Sequence, residues 1–266
     1  MPKVSVIMGV NNGERSLRRA IDSILNQTLK DIEFIICDDN STDNTLAILK
    51  EFASKDFRIV VLHNDKKLGL SAALNRCIEI SKSEFIARMD DDDFSHPDRL
   101  EKQLAFIESH PKYSIVGCCR QTFDKEGVWE IYSTSGELTK FDIISGNIFT
   151  HPTVMLRASD IKKVGGYTVS SRTMRGQDYD MWCKMYAAGC RGYIMPDVLF
   201  DYFEDRNKIK EVKWKSRWYN FLTHMIWRKK MGLSMKYDIY AYKELVAIVI
   251  PHILLVKYKK SKRVRL

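Results

Sequence analysis

Four consecutive carboxylates, Asp90 to Asp93, directly follow the apolar run Phe85 to Met89. Charges this crowded repel one another unless they are solvated or neutralised, and their hard oxygens select Mg2+ or Mn2+. The plain alternative is an exposed acidic loop or helix start. The position favours the metal, because ligands of open parallel sheets bind beyond the carboxyl ends of the strands. Two other polar sets stand at such ends: Asn11, Asn12 and Glu14 after VSVIMGV, and Asp38, Asp39 and Asn40 after Ile32 to Cys37. An acidic site takes an anionic nucleotide diphosphate through an intervening cation, or with its acids turned to base and ribose. Asp38 and Asp39 can cap the next helix. The functional reading gives one of them, Asp39 rather than Asp38, a hydrogen bond from a base N–H.

Such residues need strands that end together. Val4 to Val10 is β-rich, and Leu17, Ala20, Ile21, Ile24 and Leu25 then recur at helical spacing. The pattern repeats with a strand at Ile32 to Cys37, Ser41 and Thr42 as helix caps, and Leu46, Ile48, Leu49 and Phe52 on one face. It recurs at Arg58 to Asn64, with Leu70, Ala73, Leu74, Cys77 and Ile78 following, and at Phe85 to Met89. Strands alternating with helices predict an α/β fold around a central, mostly parallel sheet. Pro97 suits a first helical turn, with Ser95 or His96 before it and a helix running to Ser109. Shorter β-like pieces follow at Ser114 to Cys118, Val128 to Tyr132 and Thr153 to Arg157, with a helix near Asp180 to Ala188. This second half is predicted as mixed α+β.

The 266 residues, 45% hydrophobic, can bury a sizeable core. Met1 to Val10 lacks the zones of a signal peptide, so the expected location is cytoplasmic. Cys37, Cys77, Cys118, Cys119, Cys183 and Cys190 form no C-x-x-C pair, and buried reduced thiols are expected. The net charge of +9 divides unevenly. Residues 1–205 hold 26 Lys and Arg against 31 Asp and Glu, a balance of −5, while residues 206–266 hold 17 against 3, a balance of +14. From about Ile209 the tail reads as helical, with Trp214, Trp218, Phe221, Leu222, Met225 and Ile226 spaced for one apolar face. Its apolar stretch Leu245 to Val256 is broken by Pro251 and His252 and is too short to cross a bilayer, which takes roughly 20 apolar residues. A basic amphipathic tail suits an anionic membrane surface, which places the protein peripherally on the inner face of the cell membrane.

The segments VSVIMGVNNGERSLRRAIDSILNQTLKDIEFIICDDNSTDNT, SEFIARMDDDDFSHPDRLEKQ, HPTVMLR and GQDYDMW stand in that order across about residues 3–203. Together they resemble the inverting glycosyltransferase family 2, of GT-A fold. The resemblance implies a nucleotide-sugar donor, commonly UDP-linked, a divalent metal (Mn2+ or Mg2+), and a glycan or lipid-linked acceptor. It matches Asp39 to the base-binding acid, Asp90 and Asp92 to the ends of the D-x-D metal motif, and Asp91 to its variable middle place. Val10, Asn12, Glu14 and Asp91 join Asp39 on the nucleotide side. Asp178 matches the acid of the (E/Q)-D motif, the general base, with Gln177 in the preceding slot. His151 and Pro152 match an HP pair near the acceptor, where His151 is equally well read as a structural histidine. Asp178 also reads as a helix N-terminal acid. The family usually carries Pro and Tyr where this chain has Gly9 and Asn11, so an aromatic platform for the base is missing and binding leans on Asp39 and backbone contacts. These matches divide the chain into a catalytic domain, 1–205, and the tail, 206–266. The catalytic domain has a nucleotide-binding half (1–110) and an acceptor-binding half (111–205).

Two other functions fit parts of the sequence. A nucleotidyltransferase making nucleotide sugars shares the alternating fold and the acids, but needs a glycine-rich basic loop after the first strand, where NNGERS carries an acid. A non-enzymatic nucleic-acid binder would use the Trp-containing basic tail. The acidic site in the body argues against it. A homo-oligomer is open on sequence grounds.

Overall fold

Residues buried on both sides make interior strands of a parallel sheet, and β1 (Val4–Val10) is buried throughout. The structure, a computed structural model, describes residues 1–146, 149–207 and 212–250. After β1 come α1 (Leu17–Leu25), β2 (Ile32–Asp38), α2 (Thr45–Lys55), β3 (Ile59–His63), α3 (Leu70–Ile80) and β4 (Phe85–Arg88). The chain continues through β5 (Phe94–Ser95), α4 (Arg99–Ser109), β6 (Ile115–Asp124), β7 (Gly127–Tyr132), β8 (Gly136–Leu138) and α5 (Lys140–Ser145). It ends its sheet with β9 (Met155–Arg157), α6 (Ala158–Lys163), α7 (Gln177–Ala187) and β10 (Gly192–Phe203), before α8 (Trp214–Lys230) and α9 (Ile239–Val249).

One sheet carries the order β3-β2-β1-β4-β9-β6-β10-β5, with β7 on β6 and β8 on β10. The first four strands are parallel, as the alternating pattern predicts. β9 joins the halves by pairing antiparallel to both β4 and β6, and β6 runs parallel to β10. The register sets Val10 beside Asp38 and Asp38 beside His63, so these strand ends lie abreast. From β1 the chain moves to β2 on one side and later returns to β4 on the other. That reversal makes the carboxyl ends of β1 and β4 the switch point of the sheet, the place where ligands of open α/β sheets bind.

The apolar period of 2 sorts the core onto two faces. Val4, Val6 and Met8 pack with Leu17, Ile21, Ile24, Leu49 and Leu104 of α1, α2 and α4. Ile7 and Ile35 face Leu74, Ile78, Met181, Trp182 and Trp227 of α3, α7 and α8. All six cysteines are free thiols, five of them buried and Cys190 partly so, as expected.

Three local expectations change. Ser41 and Thr42 do not cap α2, which starts at Thr45 after Asn44. Both are instead engaged by Asn12, whose N–H bonds the Ser41 hydroxyl (2.9 Å) and whose Oδ1 accepts the Thr42 N–H (2.8 Å). Ser95 and His96 do not lead into α4, because Phe94 and Ser95 pair with Asp201 and Phe200 and the His96 N–H bonds Leu199 O. The helix therefore begins after Asp98. On α8, Thr223, His224 and Trp227 are the buried residues, and the body packs against these rather than against the predicted apolar face. Trp227 Nε1 donates to buried Asp180 (2.8 Å), Tyr179 O–H meets His224 Nδ1 (3.2 Å), and Arg172 reaches Thr223 (2.7 Å). No helix among the described residues is long and apolar enough to cross a membrane. Residues 208–211 and the 251–256 part of the predicted interfacial stretch lie outside the described residues.

Candidate active site

The first two strand ends are laced together. Asn11 Nδ2 donates to Asp39 O (2.8 Å) and its Oδ1 accepts Lys67 Nζ (2.6 Å), so the residue in the aromatic slot is spent on loop geometry. The Asp39 N–H bonds Val10 O (2.8 Å). Asn12 holds the 41–42 segment from a left-handed backbone (φ 59°), a conformation Asn tolerates better than most residues. Asp39 is buried, and its carboxylate takes three donors: Asn64 Nδ2 and Leu68 N–H on Oδ1 (2.7 and 2.8 Å), and Gly69 N–H on Oδ2 (2.7 Å). Each carboxylate oxygen offers two acceptor positions, so Oδ2 keeps one free of these contacts. Asp38 is also buried and pairs with His63 Nδ1 (2.8 Å). Glu14 turns outward and accepts both the N–H and the Nδ2 of Asn44 (3.0 Å each), lining a groove between α1 and α2 with Arg15 and Arg18.

The acid loop closes on the first loop at Gly13. A Cβ built there would lie 2.2 Å from Asp91 Oδ2, so only a residue without a side chain lets that carboxyl approach. Burial, together with the charges of Asp92 and Asp90, pushes the Asp91 pKa up to about 7. Asp93 is fully buried and raised in the same direction, with Oδ1 accepting the Phe203 N–H (2.7 Å) and Oδ2 unpartnered. Asp90 pairs with the guanidinium of Arg88. Arg19 bonds the Asp92 carbonyl and lies over the Phe123 ring (4.8 Å).

Arg88 was not legible as a site residue, although a charge inside FIAR is the signal that marks it. It is fully buried, and its Nε and Nη2 find no hydrogen-bond acceptor among the described residues. Its charge acts on Asp91, Asp93, His151, Tyr167 and Asp178, which places these groups around it. Arg99 is buried too, and donates to Arg88 O (3.1 Å) and Pro152 O (2.8 Å), tying the end of β4 to the His151 turn. Burial lowers its pKa to about 10. His151 Nε2 meets Tyr167 O–H (2.7 Å), and burial beside Arg88 drives the imidazole well below its usual pKa, leaving it neutral.

Asp178 stands in the first turn of α7 and is half-buried. Gly176 enters that helix at φ 93°, a conformation that favours glycine, and Gln177 follows as the first helical residue, partly exposed. Burial raises the Asp178 pKa. The Tyr179 N–H (2.8 Å) and Arg88 oppose the rise, and Asp90 adds to it. An acid from the second half of the chain thus shares one electrostatic pocket with the acid loop of the first.

The residues from 5 to 173 match the family model described as Glycosyl transferase family 2. This chain belongs to that family. It is 37% identical over 262 residues to the Bacillus subtilis protein EpsE, named as a glycosyltransferase, covering 98% of this chain and 94% of EpsE. Among solved structures it resembles S. aureus TarS 1-349 in complex with UDP-GlcNAc, with a TM-score of 0.72 and 19% identity over 93% of this chain and 71% of TarS 1-349. It also resembles the mannosyltransferase PcManGT from Pyrobaculum calidifontis in complex with GDP-Man and Mn2+, with a TM-score of 0.63 and 16% identity over 99% of this chain and 81% of the other. These two likenesses show the fold, GT-A. The family 2 glycosyltransferase is an enzyme, and the nucleotidyltransferase and non-enzymatic readings fall away.

Proposed function

We propose that this glycosyltransferase passes a sugar, with inversion at the anomeric carbon, from a UDP-linked donor to a hydroxyl of a lipid-linked or growing surface glycan. The observation that carries the reading is the shared pocket, in which buried Arg88 pairs with Asp90 and lies close enough to Asp178 to oppose the rise that burial and the Asp90 charge impose on it. An inverting displacement needs a base on the acceptor side and charge neutralisation on the donor side, and this pocket holds a candidate for each. Asp178, lifted by burial, takes the acceptor proton as the hydroxyl attacks. No covalent sugar intermediate is required.

Asp90 and Asp92 would hold the divalent ion, Mn2+ or Mg2+. No group of three or more His, Cys, Asp or Glu among the described residues forms a metal cage. Two carboxylates supplemented by substrate phosphates are the usual arrangement for Mg2+. Burial and the neighbouring carboxylates lift Asp91, and an Asp93 oxygen has no hydrogen-bond partner; a cation bound here would relieve both. Such an ion supplies Lewis-acid stabilisation of the departing diphosphate. On the nucleotide side, the remaining acceptor position of Asp39 Oδ2 faces the task of receiving a base N–H, with the Val10 and Asn12 backbone and Asp91 beside it. His151 and Gln177 lie on the acceptor side, where neutral His151 orients Tyr167. The bound UDP-GlcNAc of TarS supports the choice of UDP, and the Mn2+ of PcManGT supports the metal. The domain halves follow, with 1–110 holding the nucleotide and 111–205 the acceptor. Peripheral placement at the inner face of the cell membrane brings the enzyme to its acceptor.

The test is calorimetry with a panel of UDP- and GDP-sugars with and without Mn2+. One UDP-sugar should bind in a metal-dependent way, and Asp92→Ala should lose that dependence. Unchanged metal-dependent binding in Asp92→Ala would remove Asp92 from the site.

A further inference from the structure

Large apolar side chains of the two C-terminal helices face solvent, among them Trp214 (66% exposed), Trp218 (41%), Ile239 (68%), Tyr242 (50%), Val246 (54%) and Val249 (78%). The spacing puts each group on one stripe of its helix. Rings join the two stripes. Trp218 stacks on Phe221 (centroids 5.4 Å), and Phe221 meets Tyr242 of α9 (5.9 Å). Soluble monomers seldom present a contiguous apolar surface built from two helices. The opposite side of α8 is already used, since Trp227 and His224 are buried against the body. Among the described residues nothing covers this surface.

Its charge says what covers it. Lys213 and Lys215 flank Trp214, Lys243 follows Tyr242, and all three are exposed. Arg217 and Arg228 are spent on Glu244 (3.2 Å) and Asp238 (2.8 Å). With 17 basic against 3 acidic residues in 206–266, two copies meeting face to face would bring like charges together. A negatively charged lipid surface meets both demands, taking Trp and Tyr at the headgroup level and Lys at the phosphates.

We propose that the α8–α9 face seats on an anionic bilayer, with Trp214, Trp218, Tyr242 and Val246 entering the headgroup layer. The proposal rests on the reading of the acceptor as a membrane-held glycan and specifies the surface that reaches it. Because Trp227 and Arg172 bind Asp180, the seat is tied to α7, and docking orients the first turn that carries Asp178.

The experiment compares the full chain with a Trp214→Ser/Trp218→Ser variant in sedimentation with phosphatidylglycerol-containing vesicles and with phosphatidylcholine vesicles. Both substitutions are on exposed positions, so melting temperature and donor hydrolysis in solution should stay at the parent level. The parent should bind the anionic vesicles in a salt-sensitive way, and the variant should bind them at least about tenfold more weakly. Equal binding by the variant overturns the assignment, as does a parent that ignores vesicles and forms a dimer lost in the variant. Lost vesicle binding with intact hydrolysis in the variant supports the seat. Absent hydrolysis in both proteins counts against the catalytic reading and leaves the vesicle result to be judged by itself.

Discussion

Asp178 gains its raised pKa from burial, and the base form is populated only above that raised value. Asp178→Asn is expected to keep donor affinity while losing transfer by about 10² to 10⁴, the usual contribution of a positioned base. In the parent, kcat/KM should fall as the pH drops through the raised pKa, and the Asn variant should lose that limb. Wild-type turnover by the variant with the true acceptor would make Asp178 a helix-end acid. Asp91 yields a prediction on stability. Its folded pKa of about 7 exceeds the ordinary 3.8, so between these values the folded state holds more protons than the unfolded one. Stability from this group is therefore full at low pH and declines as pH rises from about 4 to about 7. Melts in chelator should show that decline, and Asp91→Asn should flatten it, with Asp93 supplying the remainder. An unchanged slope in Asp91→Asn would clear Asp91 of the effect.

At the scale of elements, the exchange of partners between α7 and α8 decides how separable the tail is. Trp227 is nearly buried and donates to Asp180, whose Oδ1 it shares with Arg172. Trp227→Ala should destabilise the protein by about 3–5 kcal/mol, the usual cost of removing a buried Trp. The emptied hydrogen-bond position on buried Asp180 adds to that cost. Denaturant melts read the loss, and a change below about 1 kcal/mol would mean that α8 does not brace the body. The strands and helices of the first half were legible because the strands read as short, nearly continuous apolar runs and the helices show the 3.6 spacing. β10 was not, since Gly192–Phe203 has a Pro and alternates poorly, and takes its form from pairing with β6 along most of its length. The caps moved for the same reason. Ser41, Thr42, Ser95 and His96 have cap chemistry, but long-range partners in Asn12 and β10 outbid the local ones.

Across the whole molecule, one sheet carries both the acid loop and the frame for Asp178, because short β9 pairs with β4 on one side and β6 on the other. The charge division gives this molecule two unlike poles, an acid loop at the switch point and a basic helical pair. What the sequence by itself determined is local: which residues alternate, which recur at helical spacing, where acids crowd after a strand, and where the basic tail begins. These follow from side-chain types and short spacings, and the motif order names the family. Only the tertiary structure decided that Arg88 sits buried among Asp90, His151, Tyr167 and Asp178, that Glu14 is bonded to Asn44, and that Asn11 is tied to Lys67. It also decided which side of α8 the body claims, taking Trp227 and leaving Trp214 and Trp218 exposed. The physical reason is that a side chain's partner is set by where the sheet brings distant strand ends. An amphipathic pattern specifies that a face exists without specifying what it will meet.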